Sequence, residues 1–359
     1  MQDSGMRVVV IGGSGNFGAR ICKALGEDHA IDVVACGRSA LTRLDIASPR
    51  FPEELRSLSP DIVVHCAGPF QGQGYRVALA ALAAGAHYLD LADGRGFVCG
   101  FGRAAGAAAR AAGRLAVSGA STLPALSSAV VDSLAGRFRQ IEEIHIVIAP
   151  AQRAPRGRAT MAGVLGYAGQ PFKWLSEGVW ENAHGWQELR RVRMDGVGTR
   201  WAAACDVPDL ELLPARYPGV RTVQFRAALE VGIQHFALWT AAALRRAGLP
   251  LSLDRWAGPL DRAATFLDKL GSEKGGMAVT VTGTRPDGSR ACIEWRVVAD
   301  ANHGPEIPCM AAILIARKLA RGEPMEQGAH PCMGFLTLAD FEPEFARWAM
   351  RTTLEERSA

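Results

Sequence analysis

Ile11 to Gly18 reads Ile-Gly-Gly-Ser-Gly-Asn-Phe-Gly, and its Gly13-x-Gly15-x-x-Gly18 spacing suits a turn that cradles phosphate. In that setting Gly13 allows the tight turn and Gly15 lets the backbone approach a pyrophosphate. Gly18 lets a helix pack against a strand, and Ser14, Asn16 and Phe17 complete the loop. Unpaired N–H groups at the helix start then favour a negative ligand. With 40 glycines in the chain, the triplet means little without its context. That context is a β-branched run, Arg7 to Ile11, before it and a plausible helix, Ala19 to Leu25, after it.

Ile31 to Cys36 reads as a second strand, ending at Gly37-Arg38-Ser39. Arg38 falls twenty residues past Gly18, where an NAD site places an Asp or Glu against the ribose 2′-hydroxyl. A carboxylate would repel the 2′-phosphate of NADP, whereas a guanidinium matches it and Ser39 can add a donor. The loop therefore points to NADP; the plainer alternative is a solvated loop charge.

Further candidates lie past later strand ends. Asp93 follows the strand His87 to Leu91, and Asp90 lies within it; capping a turn or bonding backbone amides is the structural alternative. Arg153 and Arg156 precede a helix expected from Met161 to Ala168 with Thr160 as its N-cap, a good place to anchor an anion, or else an exposed basic loop. Trp186 could wall a pocket for an apolar substrate portion, although packing is the commoner use of Trp. His235, near Glu230, is either a proton donor or a structural residue.

The elements around these residues suggest an α/β chain with two domains, as 359 residues would favour. Strand and helix signals alternate through the first third, predicting a Rossmann doubly wound parallel sheet over residues 1–125. Its ligand loops are Ala67 to Phe70, Ala92 to Arg95 and Gly119 to Thr122. Strand candidates Ile141 to Ala149, Thr222 to Leu229, Met277 to Thr284 and Ala291 to Val298 predict a second α/β (α+β) substrate domain with a mixed or antiparallel sheet, residues 126–302. Arg285-Pro286-Asp287-Gly288 signals a hairpin between the last two. An apolar helix from about Cys309 to Ala320 is expected to return to the first domain, with residues 303–350 completing it, and the tail after Arg351 to fray.

Charge is nearly balanced at +4 without a basic stripe, which argues against nucleic acid. No apolar run is long enough to cross a bilayer, and the first strand begins too early to leave room for a signal peptide. The eight cysteines form no CxxC pair and the eight histidines no metal spacing, so a reduced cytoplasm and no metal are expected.

The sequence resembles the saccharopine dehydrogenase-like family of NAD(P)-binding oxidoreductases. Gly12 to Gly18, Cys66-Ala67-Gly68-Pro69-Phe70 and Ala83 to Gly94, containing His87-Tyr88-Leu89-Asp90, carry the resemblance. It implies a Rossmann domain and a second domain of the kind used for homodimerisation. It also implies hydride transfer at a carbon–nitrogen bond of a small molecule, with Ala67, Gly68, Pro69 and Phe70 near the nicotinamide half of NADPH. An acid such as Asp93 would then protonate an imine nitrogen. Gly119 to Pro124 departs from the Gly-x-x-Pro-Gly loop of members that make or cleave saccharopine. Two other functions fit the same loops: an enoyl reductase acting in trans for a lipid or polyketide synthase, and a non-catalytic NADP(H) sensor or assembly subunit.

Overall fold

A computed structural model describes residues 5–38, 40–253 and 257–358. Two compact units divide the chain: residues 1–126 with 306–336, and residues 127–305 with 337–359.

The first unit begins β1 (Met6–Ile11), α1 (Asn16–Leu25), β2 (Ile31–Gly37), β3 (Thr42–Arg43), α2 (Phe51–Ser57) and β4 (Ile62–His65). It continues α3 (Arg76–Ala83), β5 (His87–Asp90), α4 (Arg95–Ala112) and β6 (Leu115–Ser118). Val8, Val9, Val10, Ile62, Val63 and Val64 have no exposed surface. Such unbroken apolar runs suit strands covered on both faces.

The second unit holds α5 (Ser127–Ala135), β7 (Gln140–Ala149), α6 (Arg158–Tyr167), β8 (Pro171–Ser176), β9 (Val179–His184), β10 (Arg190–Met194) and β11 (Gly198–Ala204). Then come α7 (Asp209–Arg216), β12 (Thr222–Ala227), α8 (Gly232–Arg246), α9 (Ala257–Leu267), β13 (Gly275–Thr284) and β14 (Arg290–Ala299). The chain next returns to the first unit as α10 (Ile307–Ala320) and β15 (Gly328–Pro331), and ends in the second as α11 (Leu338–Arg347) and β16 (Arg351–Ser358).

Among the described residues the first unit carries a seven-stranded sheet in the order β15-β6-β5-β4-β1-β2-β3, with every pair parallel. The chain turns to the other side of β1 between β3 and β4, so the switch point lies beyond Ile11 and His65. A ligand crevice forms at such a reversal. The described residues of the second unit form a nine-stranded mixed sheet, in which β12 pairs parallel to β7 and the β13–β14 hairpin is antiparallel.

Three expectations are corrected. The tail beyond Arg351 is not frayed: β16 pairs with β14 from Val298↔Arg351 to Ala291↔Ser358, so its backbone is bonded although its side chains are largely polar. The returning segment stops at Leu336, short of residue 350, because α11 packs with α5 and β16 in the second unit. Gly157, not Thr160, caps α6, which begins three residues earlier than expected, at Arg158.

Candidate active site

The first loop past β1 turns at Gly12, whose φ of 82° is a left-handed conformation that favours glycine. The turn was expected at Gly13, which serves differently: a Cβ there would lie 2.9 Å from the Ala35 Cα on β2. Gly12 and Gly13 both donate backbone N–H bonds to Cys36 O, at 2.8 and 3.0 Å, fastening the turn to β2. A Cβ on Gly18 would drive into the Gly12 carbonyl, so α1 and the turn can touch only through glycine. Gly15 is the exposed N-cap of α1 and brings no side chain to bond the first helical amides. Ser14 is exposed beside it, and Arg20 bonds the Asn16 Oδ1 at 2.6 Å and Glu306 at 2.8 Å, fixing the first helical turn. An open helix N-terminus behind a glycine-rich turn fits a pyrophosphate.

Arg38 follows the last residue of β2 and is exposed at the same carboxyl edge; Ser39 lies outside the described residues. Sequence reasoning passed over Arg43, a second exposed arginine whose strand position pairs with Gly37. Only the short strand pairing brings it back beside Arg38, and no motif announces that.

The loop past β4 meets the glycine turn directly. Cys66 N donates to Ile11 O at 2.8 Å, and a Cβ on Gly12 would lie 3.1 Å from Ala67 N. Gln73 holds this loop by donating to Ala67 O and Pro69 O, at 2.9 and 2.7 Å. Gly68 and Pro69 thus stay at the edge, while Phe70 turns inward against His65, with ring centroids 5.0 Å apart. Gln71 Nε2 then donates to Asp93 Oδ1 at 3.2 Å, joining the loop past β4 to the loop past β5.

The two candidate carboxylates are placed differently. Asp93 is half-buried at the loop, and burial pushes its carboxyl up from the usual range against the opposing Gln71 bond. Asp90 is wholly buried at the end of β5, where burial raises it to about 6. Its Oδ1 accepts from Gly119 N at 2.8 Å, Ala92 N at 2.9 Å and Ser118 Oγ at 3.0 Å. Beside it, His65 Nδ1 and the Tyr88 hydroxyl lie 3.0 Å apart, and burial lowers His65 to about 4, so its ring is neutral near pH 7.

In the second unit Arg156 is ion-paired with Asp268 at 2.6 Å, and Arg153 Nε donates to Asp268 O at 3.1 Å. Both guanidinium groups are therefore engaged by one aspartate. Trp186 and His235 are brought together, edge to face at 5.4 Å, and both are buried. Glu230 goes elsewhere, accepting from Gln152 N at 2.9 Å and Ser272 N at 3.0 Å, with Arg200 at 3.6 Å. Among the described residues no cluster could hold a metal, and no helix is long and apolar enough to cross a membrane.

No protein-family model matches the chain, and no curated protein matches it in sequence. Solved structures do. Apo, histidine-tagged saccharopine dehydrogenase (L-Glu forming) from Saccharomyces cerevisiae superposes with a TM-score of 0.70 at 11% identity, over 98% of this chain and 100% of the other. The chain has the saccharopine dehydrogenase fold.

The same fold relates it to C. glutamicum DAP dehydrogenase in complex with DAP, at a TM-score of 0.54 and 17% identity over 94% and 98% of the two chains. It also relates it to an engineered D-amino acid dehydrogenase bound to NADP+, at 0.51 and 18% over 94% and 98%. At these identities the likeness is one of architecture. Within the saccharopine dehydrogenase fold, sequence reasoning missed Gln73 as the brace of the loop past β4 and Gln71 as its tie to the loop past β5. Both are ordinary polar residues, and the partner of Gln71 is set only by the pairing of β4 with β5.

Proposed function

We propose that the protein is an NADP-dependent oxidoreductase acting at a carbon–nitrogen bond of a small molecule. The observation that carries this is the glycine cradle at the β1–β4 switch point, with Arg38 at the end of the neighbouring strand β2. NADP would lie with its pyrophosphate over Gly13, Ser14, Gly15, Asn16, Phe17 and Gly18. Arg38 would take the 2′-phosphate, with Ser39 and the exposed Arg43 as further donors. When bound, the cofactor supplies hydride to an electrophilic carbon.

The chain's own residues do the rest. Ala67, Gly68, Pro69 and Phe70, held by Gln73, form the wall for the nicotinamide half. Asp93, half-buried and raised by burial, would pass a proton to an imine nitrogen. Arg153 and Arg156 are assigned to the substrate, which requires the Arg156–Asp268 pair to exchange partners, whereas Trp186, buried against His235, would support that region by packing. Similarity of fold to amino-acid dehydrogenases supports a carbon–nitrogen substrate. The exposed side chains of Trp180, Trp201, Ile233 and Phe236 in the second unit support a homodimer, which light scattering would detect.

The test is NADPH oxidation, followed at the nicotinamide absorbance, against 2-oxo acids with ammonia or an amino acid. Turnover that falls at least tenfold in Asp93→Asn is expected. Turnover on enoyl thioesters alone would overturn the carbon–nitrogen assignment.

A further inference from the structure

Asp90 is fully buried, yet three donors, the amides of two loops and the Ser118 hydroxyl at the end of β6, converge on one of its oxygens. Ala92 lies in the loop that carries Asp93, and Gly119 opens the loop past β6 with a φ of 78°. The other oxygen, Oδ2, is buried without a geometrically satisfactory hydrogen-bond partner. Tyr88 shares its sheet face two residues earlier, and His65 is its register partner on β4. The titratable groups around it are Tyr75, Tyr88, His65, Cys66 and Cys332. Its charge is therefore held by amides and hydroxyls rather than by a cation.

We infer that Asp90 is a positioning residue: through Oδ1 it sets the Asp93 loop against the loop that follows β6. Both loops leave the carboxyl edge of the parallel sheet, where this architecture places its ligand. A carboxylate reaches both amides and the Ser118 hydroxyl at once, and bonds from an ionised acceptor are the stronger kind. An asparagine keeps the accepting oxygen; an alanine removes it, and a serine is one atom too short. Tying Asp93 in place rests on the proposed role of Asp93, but the tie between the loops stands on the chain alone.

The experiment is amide hydrogen exchange on the full chain, wild type against Asp90→Ala, Asp90→Ser and Asp90→Asn, read at Ala92 and Gly119. In the Ala and Ser variants exchange should rise together at both amides, by about 100-fold, while the strand amides of β1 and β4 stay protected. Asp90→Asn should restore both to within about tenfold of wild type. With a turned-over substrate, Asp90→Ser should lower kcat more than it changes KM and leave NADPH affinity within about threefold. Wild-type exchange at either amide in the Ser variant, or equal loosening by Asn and Ser, would overturn the assignment. Failure of the wild-type protein to bind NADPH would overturn the proposed function and leave the exchange result unaffected.

Discussion

Trp186 and His235 meet edge to face, 5.4 Å between ring centroids, and neither Trp186 Nε1 nor either His235 nitrogen has a hydrogen-bond partner. Burial lowers His235 from 6.5 to about 4, so the native ring is neutral at pH 7. The stabilisation this gives is present above pH 6.5 and is lost as pH falls through about 4, because the unfolded chain takes up the proton first. His235→Leu removes two unpaired nitrogens and should change stability at pH 7 by no more than about 1 kcal/mol. It should also lessen the loss between pH 6.5 and 4.5, as urea unfolding would measure. Destabilisation beyond about 2 kcal/mol at pH 7 would show that the ring makes an essential native bond.

Asp209 makes the opposite prediction. It is fully buried, accepts a short bond from the Ser127 hydroxyl, and is raised from 3.8 to about 7 by burial. A raised carboxyl favours folding while protonated, so its contribution is complete below pH 3.8 and lost as pH rises through about 7. Asp209→Asn keeps an accepting oxygen for Ser127. Thermal melts should show it more stable than wild type at pH 8, on the order of 2 kcal/mol, and indistinguishable near pH 3.5. A variant less stable at pH 8 would contradict this.

The glycines of the first loop should separate by mechanism. Gly18→Ala forces a methyl into the Gly12 carbonyl and should cost about 3 kcal/mol of stability while abolishing NADPH binding. Gly15→Ala meets only that carbonyl, at 3.1 Å, and otherwise points into exposed space. It should fold normally, yet weaken NADPH at least about tenfold by standing where the pyrophosphate approaches. Paired melting and fluorescence titrations would tell the two apart; equal loss of stability in both would refute the distinction.

Much of the first unit was legible because its signals are local. The run Arg7 to Ile11, the glycine spacing and the apolar strand Ile62 to Val64 each carry their meaning in a few residues. So does Asp287-Gly288, which turns β13 into β14 with Thr284 opposite Arg290. The stretch from Trp174 to Trp201 hid β9 and β10 together with the end of β8 and the start of β11. Along β9 the first four residues are all exposed, so no apolar alternation marks a face. In the site, the loop residues could be named from sequence, but not the ties between them. Asp90 finds Gly119 only because β5 and β6 are neighbours, and Trp186 finds His235 only because the loop after β9 reaches α8.

The most direct test of the NADP assignment is a fluorescence titration of NADPH and NADH against wild type and Arg38→Asp. NADPH should bind wild type at least about tenfold more tightly than NADH, a difference of about 1.4 kcal/mol. Arg38→Asp should erase or reverse that preference by setting a carboxylate against the 2′-phosphate. Equal wild-type affinities, or an Arg38→Asp protein that still prefers NADPH, would contradict the account.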